Sequence, residues 1–230
     1  MQMTEETIMG LFGRMTGDNK HLLAATSTLD ALWVLYDRVL NVSPDTVDDP
    51  DRDRFYLSKG HGPMAYYAIL ATKGFIEPEA LDTWMRVDSP LGLHPDRTLV
   101  PGVEISSGSL GHGLPLGVGT ALGLRAEQRQ ARVVVMLGDG EFDEGSNHEA
   151  MAIAARFGLD RLTAVVIDNA SASLAWPGGI ARRFEGEGWR ASTVNGRDHE
   201  ALHQALTQEP DGRPQAVVAE IRDSAEGSAA

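Results

Sequence analysis

The stretch that decides the fold is Arg132–Asn169, RVVVMLGDGEFDEGSNHEAMAIAARFGLDRLTAVVIDN. It opens with an unbroken apolar run, Val133 to Leu137. Such a run suits a parallel strand covered on both faces rather than one with a wet side. The run stops at Gly138-Asp139-Gly140. Ser146 to Phe157 then reads as a helix, stopped by Gly158. Leu162 to Ile167 reads as a second buried strand, ending in Asp168-Asn169. Two apolar strands joined by a helix form a βαβ unit, expected to be right-handed. In open α/β sheets, ligands bind in the crevice outside the carboxyl ends of the strands. Asp139 and Asn169 fall at two such ends. A carboxylate and an amide there suit a hard divalent cation such as Mg²⁺, which completes its shell with phosphate oxygens and water. Gly138 and Gly140 let a phosphate approach the backbone closely. The helix from Ser146 turns its positive end toward the same region. Alone, Gly-Asp-Gly would equally suit a tight turn with a helix-capping aspartate. The Asp-Asn at the next strand's end favours the cation.

Working outward, residues 3–15 and 21–40 read as helices, the second ended by Asn41-Val42-Ser43-Pro44. The polar stretch Thr46–Arg54 reads as a surface loop. Its cluster Asp48, Asp49, Asp51 and Asp53, interleaved with Arg52 and Arg54, reads as solvated rather than as a second cation site. Phe55–Ser58 is expected as a strand, Pro63–Lys73 as a helix, and Pro78–Met85 as a helix with proline in its first turn. Residues 88–113 lack periodicity, and a loop that long in a compact domain is usually functional. Residues 114–130 read as a Gly- and Ala-rich helix, 180–187 as helical, and 189–194, 199–207 and 216–221 as strand, helix and strand. Trp33 and Trp84 sit on helical patterns and read as core. The tail from Asp223 is expected to fray. The sum is one α/β domain over residues 1–230, a mostly parallel sheet with helices on both faces.

Composition narrows the function. The 230 residues carry 20 Lys+Arg against 33 Asp+Glu, a net charge of −13, which argues against a broad nucleic-acid footprint. With no cysteine, disulfides, thiolate metal sites and cysteine nucleophiles are excluded. The acidic start lacks a signal peptide's basic region, and no run approaches the roughly 18 apolar residues of a membrane span. A cytoplasmic protein without a membrane partner is expected.

Motifs inside and outside the βαβ unit point the same way. Gly138-Asp139-Gly140 followed by Asn169, in the setting GDGEFDEGSNHEA, resembles the thiamin-diphosphate motif in its transketolase form. SKGHG at 58–62 is similar to that family's Ser-Lys-Gly-His-Gly element. PGVEISSGSLGHG at 101–113 resembles its PGVE…GSLGQG element. Leu29-Asp30-Ala31-Leu32 through Tyr36 resembles the first helix of the family's domain. These elements stand in the family's order and span roughly residues 18 to 222.

The resemblance implies thiamin diphosphate and Mg²⁺, or another divalent cation, as cofactors. Asp139 and Asn169 would hold the metal by side-chain oxygens and Ser171 by its carbonyl. Gly138 and Gly140 would line the diphosphate, the latter through its N–H, and Gly108, Ser109 and Leu110 would line the cofactor. Glu144 matches an acidic residue near cofactor and subunit interface. His61 matches the motif histidine that binds beside the diphosphate and the reacting centre, His94 a substrate-side histidine, and His21 the position of a Gly-His-Pro-Gly histidine. Histidine titrates near neutrality and can move protons to a carbonyl or hydroxyl. The chain departs from the pattern at His112, where the family has glutamine, after Asn169, and at Ile221-Arg222-Asp223-Ser224.

In transketolases the carboxylate that activates the cofactor lies in a separate pyrimidine-binding domain. No residue here matches it, so the resemblance implies a partner subunit that carries this domain, in an α2β2 heterotetramer. The implied reaction is transfer of a two-carbon ketol or acyloin unit from a ketose or 2-oxo acid to an aldehyde. Two alternatives stand beside it: the α subunit of a 2-oxo acid decarboxylase or dehydrogenase E1-type component, and a non-catalytic scaffold module.

Overall fold

A computed structural model describes residues 3–16, 26–172 and 176–222. The apolar runs form strands β1 (Arg54–Leu57), β2 (Val133–Gly138), β3 (Leu162–Asp168), β4 (Arg190–Asn195) and β5 (Gln215–Glu220). All pair in parallel in the order β1-β2-β3-β5-β4. Helices α1 (Glu5–Phe12), α2 (Leu29–Val34), α3 (Pro63–Thr72), α4 (Gly113–Ala126), α5 (Gly145–Arg156), α6 (Gly179–Gly186) and α7 (His199–Leu206) cover the sheet.

Side chains alternate across a strand, so each inner strand feeds two cores. Val134 and Met136 of β2, Val165 and Ile167 of β3, and Val217 and Ala219 of β5 pack under α1, α2, α3 and α7. Val133, Val135, Leu137, Leu162, Ala164, Val166, Ala216 and Val218 pack under α4, α5 and α6. Inner strands are therefore apolar at nearly every covered position, Thr163 and Gln215 being the buried polar exceptions, whereas β4, at an edge, is half exposed. Each large apolar side chain so buried contributes roughly 1.5–3 kcal/mol. Helix α3 is buried on every side, matching a sequence without charged residues whose polar hydroxyls, on Tyr66, Tyr67 and Thr72, are all hydrogen-bonded.

The structure redraws several expected elements. Within the segment expected as one helix over 21–40, α2 is followed by a π-helical turn, Leu35–Val39, and residues 21–25 lie outside the described residues. The helix expected from Pro78 is a 3₁₀ segment, Pro78–Thr83. Helix α4 ends at Ala126, before Gln128 takes φ 60°. Trp84 is buried, while Trp33 is half-buried with its ring edge-on to His199 at 5.1 Å.

One reading is corrected outright: Asp53 is not solvated. It is 4% exposed. Its Oδ1 accepts from the Arg132 backbone N–H, and Oδ2 accepts from Arg132 Nη2 at 2.6 Å and from the Asn41 N–H at 2.8 Å. Composition made the stretch look wet, but pairing with a guanidinium across the start of β2 makes burial of this carboxylate tolerable.

The chain leaves β1 toward α3 on one face and leaves β2 toward α5 on the other. Their connections diverge, which opens a crevice at the carboxyl ends of β1 and β2, the usual ligand position of such sheets. The long loop beneath the crevice is tied down by α3: Tyr66 Oη donates to the Gly102 carbonyl at 3.1 Å and Tyr67 Oη to that of Gly92 at 3.0 Å.

Replacing Asp53 with alanine would strand the Arg132 guanidinium and two backbone N–H groups. The expected cost is roughly 3 kcal/mol. Urea unfolding checks it; a midpoint unchanged from wild type contradicts the anchor role.

Candidate active site

Four segments meet at the crevice: the turn Ser58–Gly62 after β1, the turn Gly138–Glu144 after β2, the turn Asn169–Ala172 after β3, and the loop Gly108–Gly113 entering α4. Asp139 is 1% exposed. Its N–H donates to the Ile167 carbonyl at 3.0 Å, so it stands beside the end of β3. The carboxylate accepts from Ser171 N and Oγ, each at 2.6 Å, and from Ala172 N at 2.9 Å. Asn169 follows β3, and its Oδ1 is buried with no hydrogen-bond partner. A buried orphan acceptor costs free energy unless something else satisfies it.

Asp168 shapes that turn. Its Oδ1 accepts from the Ala170 N–H at 3.1 Å, and its Oδ2 pairs with Arg222 at 3.0 Å. Ala170 takes φ 58°, a left-handed conformation uncommon for a residue with a Cβ. Ser171, expected to offer its carbonyl, meets Asp139 through its N–H and hydroxyl.

Two of the three expected histidines, His61 and His94, converge. The rings of His61 and His94 lie 6.2 Å apart. His61 is exposed, while His94 is half-buried with Nδ1 buried and unpartnered. Gly108 lies under His94: at φ 116° a Cβ there would sit 2.8 Å from the ring. Gly60 faces Leu110, so the two glycine-rich segments touch. Leu110 itself is partly exposed on the crevice rim. Gly140 has open space except for Ser171 and Ala172, both near 3.8 Å. Glu144 is exposed, with its side chain against Gly111. His112 is exposed at the start of α4. His21 lies outside the described residues.

Sequence reading missed the residue that joins these segments. Glu141 is 2% exposed. Its Oε1 accepts from the Gly111 N–H at 2.9 Å and from Ser58 Oγ, and its Oε2 accepts from the Gly138 N–H at 3.3 Å. Ser58 Oγ in turn accepts from the Gly113 N–H at 3.0 Å. Burial pushes the Glu141 carboxyl above its usual range, against the hydrogen bonds and the Lys59 charge. Lys59 is itself buried, and burial pushes its ammonium down, against the charges of Asp139 and Glu141. One signal was available: a glutamate directly after Gly-Asp-Gly, where its side chain must turn back under the strands.

Among the described residues no cluster of three or more His, Cys, Asp or Glu forms a ready-made metal cage. The donor set is one carboxylate and one amide oxygen. That set suits Mg²⁺, which binds through one or two protein groups together with phosphate oxygens.

The class these features define is a parallel α/β protein with a glycine-lined crevice at the carboxyl ends of its first strands. The comparisons with known proteins narrow it. The family description "Transketolase, thiamine diphosphate binding domain" matches residues 16–222. A protein of Rhodococcoides fascians named ferredoxin Fas2 is 58% identical over 229 residues, covering 99% of this chain and 75% of that protein. One of the subunits of apulose-4-phosphate transketolase from Actinobacillus succinogenes is 36% identical over 207 residues, covering 86% of this chain and 75% of that protein. A transketolase structure from Pichia stipitis superposes with a TM-score of 0.79 at 24% identity, covering 94% of this chain and 36% of that one. The chain therefore spans about a third of that solved transketolase. The chain belongs to the transketolase family and is its thiamin-diphosphate-binding domain. The name ferredoxin does not carry over to these residues, because without cysteine they offer no thiolate to an iron–sulfur cluster. Among the described residues no helix is long and apolar enough to cross a membrane.

Glu141→Ala is expected to leave Ser58 and two backbone N–H groups unpaired at a cost of roughly 3 kcal/mol. Hydrogen exchange at Gly111 and Gly113 should accelerate ahead of the β-strand amides. Unchanged protection at both glycines would show that the carboxylate does not hold the segments together.

Proposed function

We propose that this chain is the diphosphate-binding subunit of a two-component transketolase-like enzyme. One observation carries the reading: buried Asp139 and the orphaned Asn169 Oδ1 stand at adjacent strand ends. Thiamin diphosphate, when bound, supplies the nucleophilic carbon that takes up a two-carbon ketol unit. Asp139 and Asn169 would hold Mg²⁺, with Ser171 alongside. Gly140 leaves room for the diphosphate, Gly138 would line it beneath the Lys59 stem, and Gly108, Ser109 and Leu110 form the wall beside it. Glu144 would face the subunit boundary.

The chain's own groups then act on the substrate. His61 and His94 stand close enough to bracket one small polar group. Each can hold a hydroxyl or move a proton at a carbonyl oxygen. His94 Nδ1 lacks an internal partner, so a substrate hydroxyl would satisfy it. His21 is proposed to join them. The donor class is a ketose or a 2-oxo acid and the acceptor an aldehyde. The sugar side draws support from the relative named for apulose-4-phosphate.

Partnership follows from the same reading. That relative is named as one subunit of its enzyme, which supports a second chain here, proposed to carry the pyrimidine-binding domain in an α2β2 assembly within the cytoplasm. A site shared between chains is ordinary, since ligands favour boundaries between domains.

The test is calorimetry with Mg²⁺ and thiamin diphosphate in the presence of the pyrimidine-domain subunit, followed by product analysis. Wild type should bind and transfer the ketol unit. Asp139→Ala removes the metal's only anionic protein ligand and should bind at least about 100-fold more weakly. Retained binding in that variant would sink the metal assignment. Release of CO₂ without ketol transfer would assign the E1-type reaction, and no heat with wild type would leave a scaffold.

A further inference from the structure

Lys59 is buried to 6% exposure inside the crevice. Its stem crosses Gly138, where a Cβ would lie 3.2 Å from Lys59 Cγ, so the side chain reaches from the end of β1 over the end of β2. Its hydrogen bond runs from Nζ to the His61 carbonyl at 2.9 Å. An ammonium carries three donors, so two remain unspent. Asp139 and Glu141 act on its charge without hydrogen-bonding to it. The next residue, Gly60, touches Leu110 and faces the Gly108 carbonyl, so the ammonium lies among the segments that frame the crevice.

A cation this deep with unspent donors is costly unless an anion meets it. Neither of the two carboxylates nearby accepts from the ammonium: Asp139 accepts from Ser171 and Ala172, Glu141 from Ser58, Gly111 and Gly138. An external oxyanion in the crevice would use the donors that these leave over.

We propose that Lys59 is a diphosphate-binding residue, whose ammonium donates to a terminal phosphate oxygen of the cofactor while its existing hydrogen bond holds the His61 turn. The inference rests on the function proposed above and adds a charged group to the recognition of the phosphate tail. Charge-assisted hydrogen bonds to phosphate are among the stronger ones. Removing this one should weaken diphosphate binding roughly tenfold or more.

The test compares wild type, Lys59→Met and Lys59→Arg, each with the pyrimidine-domain subunit, by calorimetry against Mg²⁺ with thiamin diphosphate and, separately, with inorganic diphosphate. Lys59→Met should weaken both ligands by a similar factor, at least tenfold, and Lys59→Arg should recover most of the loss. Equal affinity in wild type and Lys59→Met overturns the inference and leaves the functional reading intact. Failure of wild type to bind thiamin diphosphate overturns the functional reading instead. Should Lys59→Met not fold, wild type still decides. The chain has only three lysines, so the Lys59 ¹⁵Nζ resonance is assignable. It should shift on addition of inorganic diphosphate with Mg²⁺, and a resonance that stays put rejects the contact.

Discussion

The crevice hangs on one buried carboxylate. Glu141 gathers donors from the turn after β1, the turn after β2 and the loop into α4. Each of these segments is glycine-rich. Glycine permits close approach but carries a large entropy cost when ordered. A single carboxylate with several acceptor sites can offset that cost for several segments together. Ser58 extends the reach, accepting from Gly113 so that the start of α4 is fixed to the end of β1. Gly113 has no room for anything larger, since a Cβ there would lie 2.2 Å from that of Ser58.

This constraint depends on the sheet below it. Glu141 can be buried because β2 lies between β1 and β3 with helices over both faces. Apolar strands set where their carboxyl ends fall, and the ends set where Asp139, Asn169 and Lys59 emerge. The divergence of the β1 and β2 connections then separates the two turns by the width of a crevice rather than letting them close on each other. Packing, topology and site are thus successive consequences of the same apolar runs.

That is also why much was legible in the sequence. Val133–Leu137 and Leu162–Ile167 have no wet position, which leaves a doubly covered parallel strand as their natural state. Their ends fix Asp139 and Asn169, and SKGHG fixes His61. What was not legible arises from long-range pairing. Asp53 looked solvated because its partner, Arg132, lies 79 positions away. Glu141 and Lys59 carry charges that composition places on the surface, and only the meeting of distant turns shows otherwise. The π-helical turn after Val34 and the 3₁₀ segment from Pro78 share apolar spacing with α-helices, so periodicity could not separate them.

The charges in the crevice explain why the proposed ligand would need a metal. Asp139 and Glu141 are anionic, and Lys59 offsets one of them. A diphosphate approaching this net negative pocket meets repulsion of the order of 4 kcal/mol per close pair at an effective dielectric near 20. Distant parts of the −13 surface matter less, because salt screens charges beyond about 8 Å. One further monocation would only neutralise the pocket. A divalent ion held at Asp139 and Asn169 reverses its sign, and its remaining coordination positions accept phosphate oxygens. On this reading Lys59 and the metal have different tasks. The lysine donates to a terminal phosphate oxygen while it holds the His61 turn, and the divalent ion turns an anion-repelling crevice into one that accepts a diphosphate.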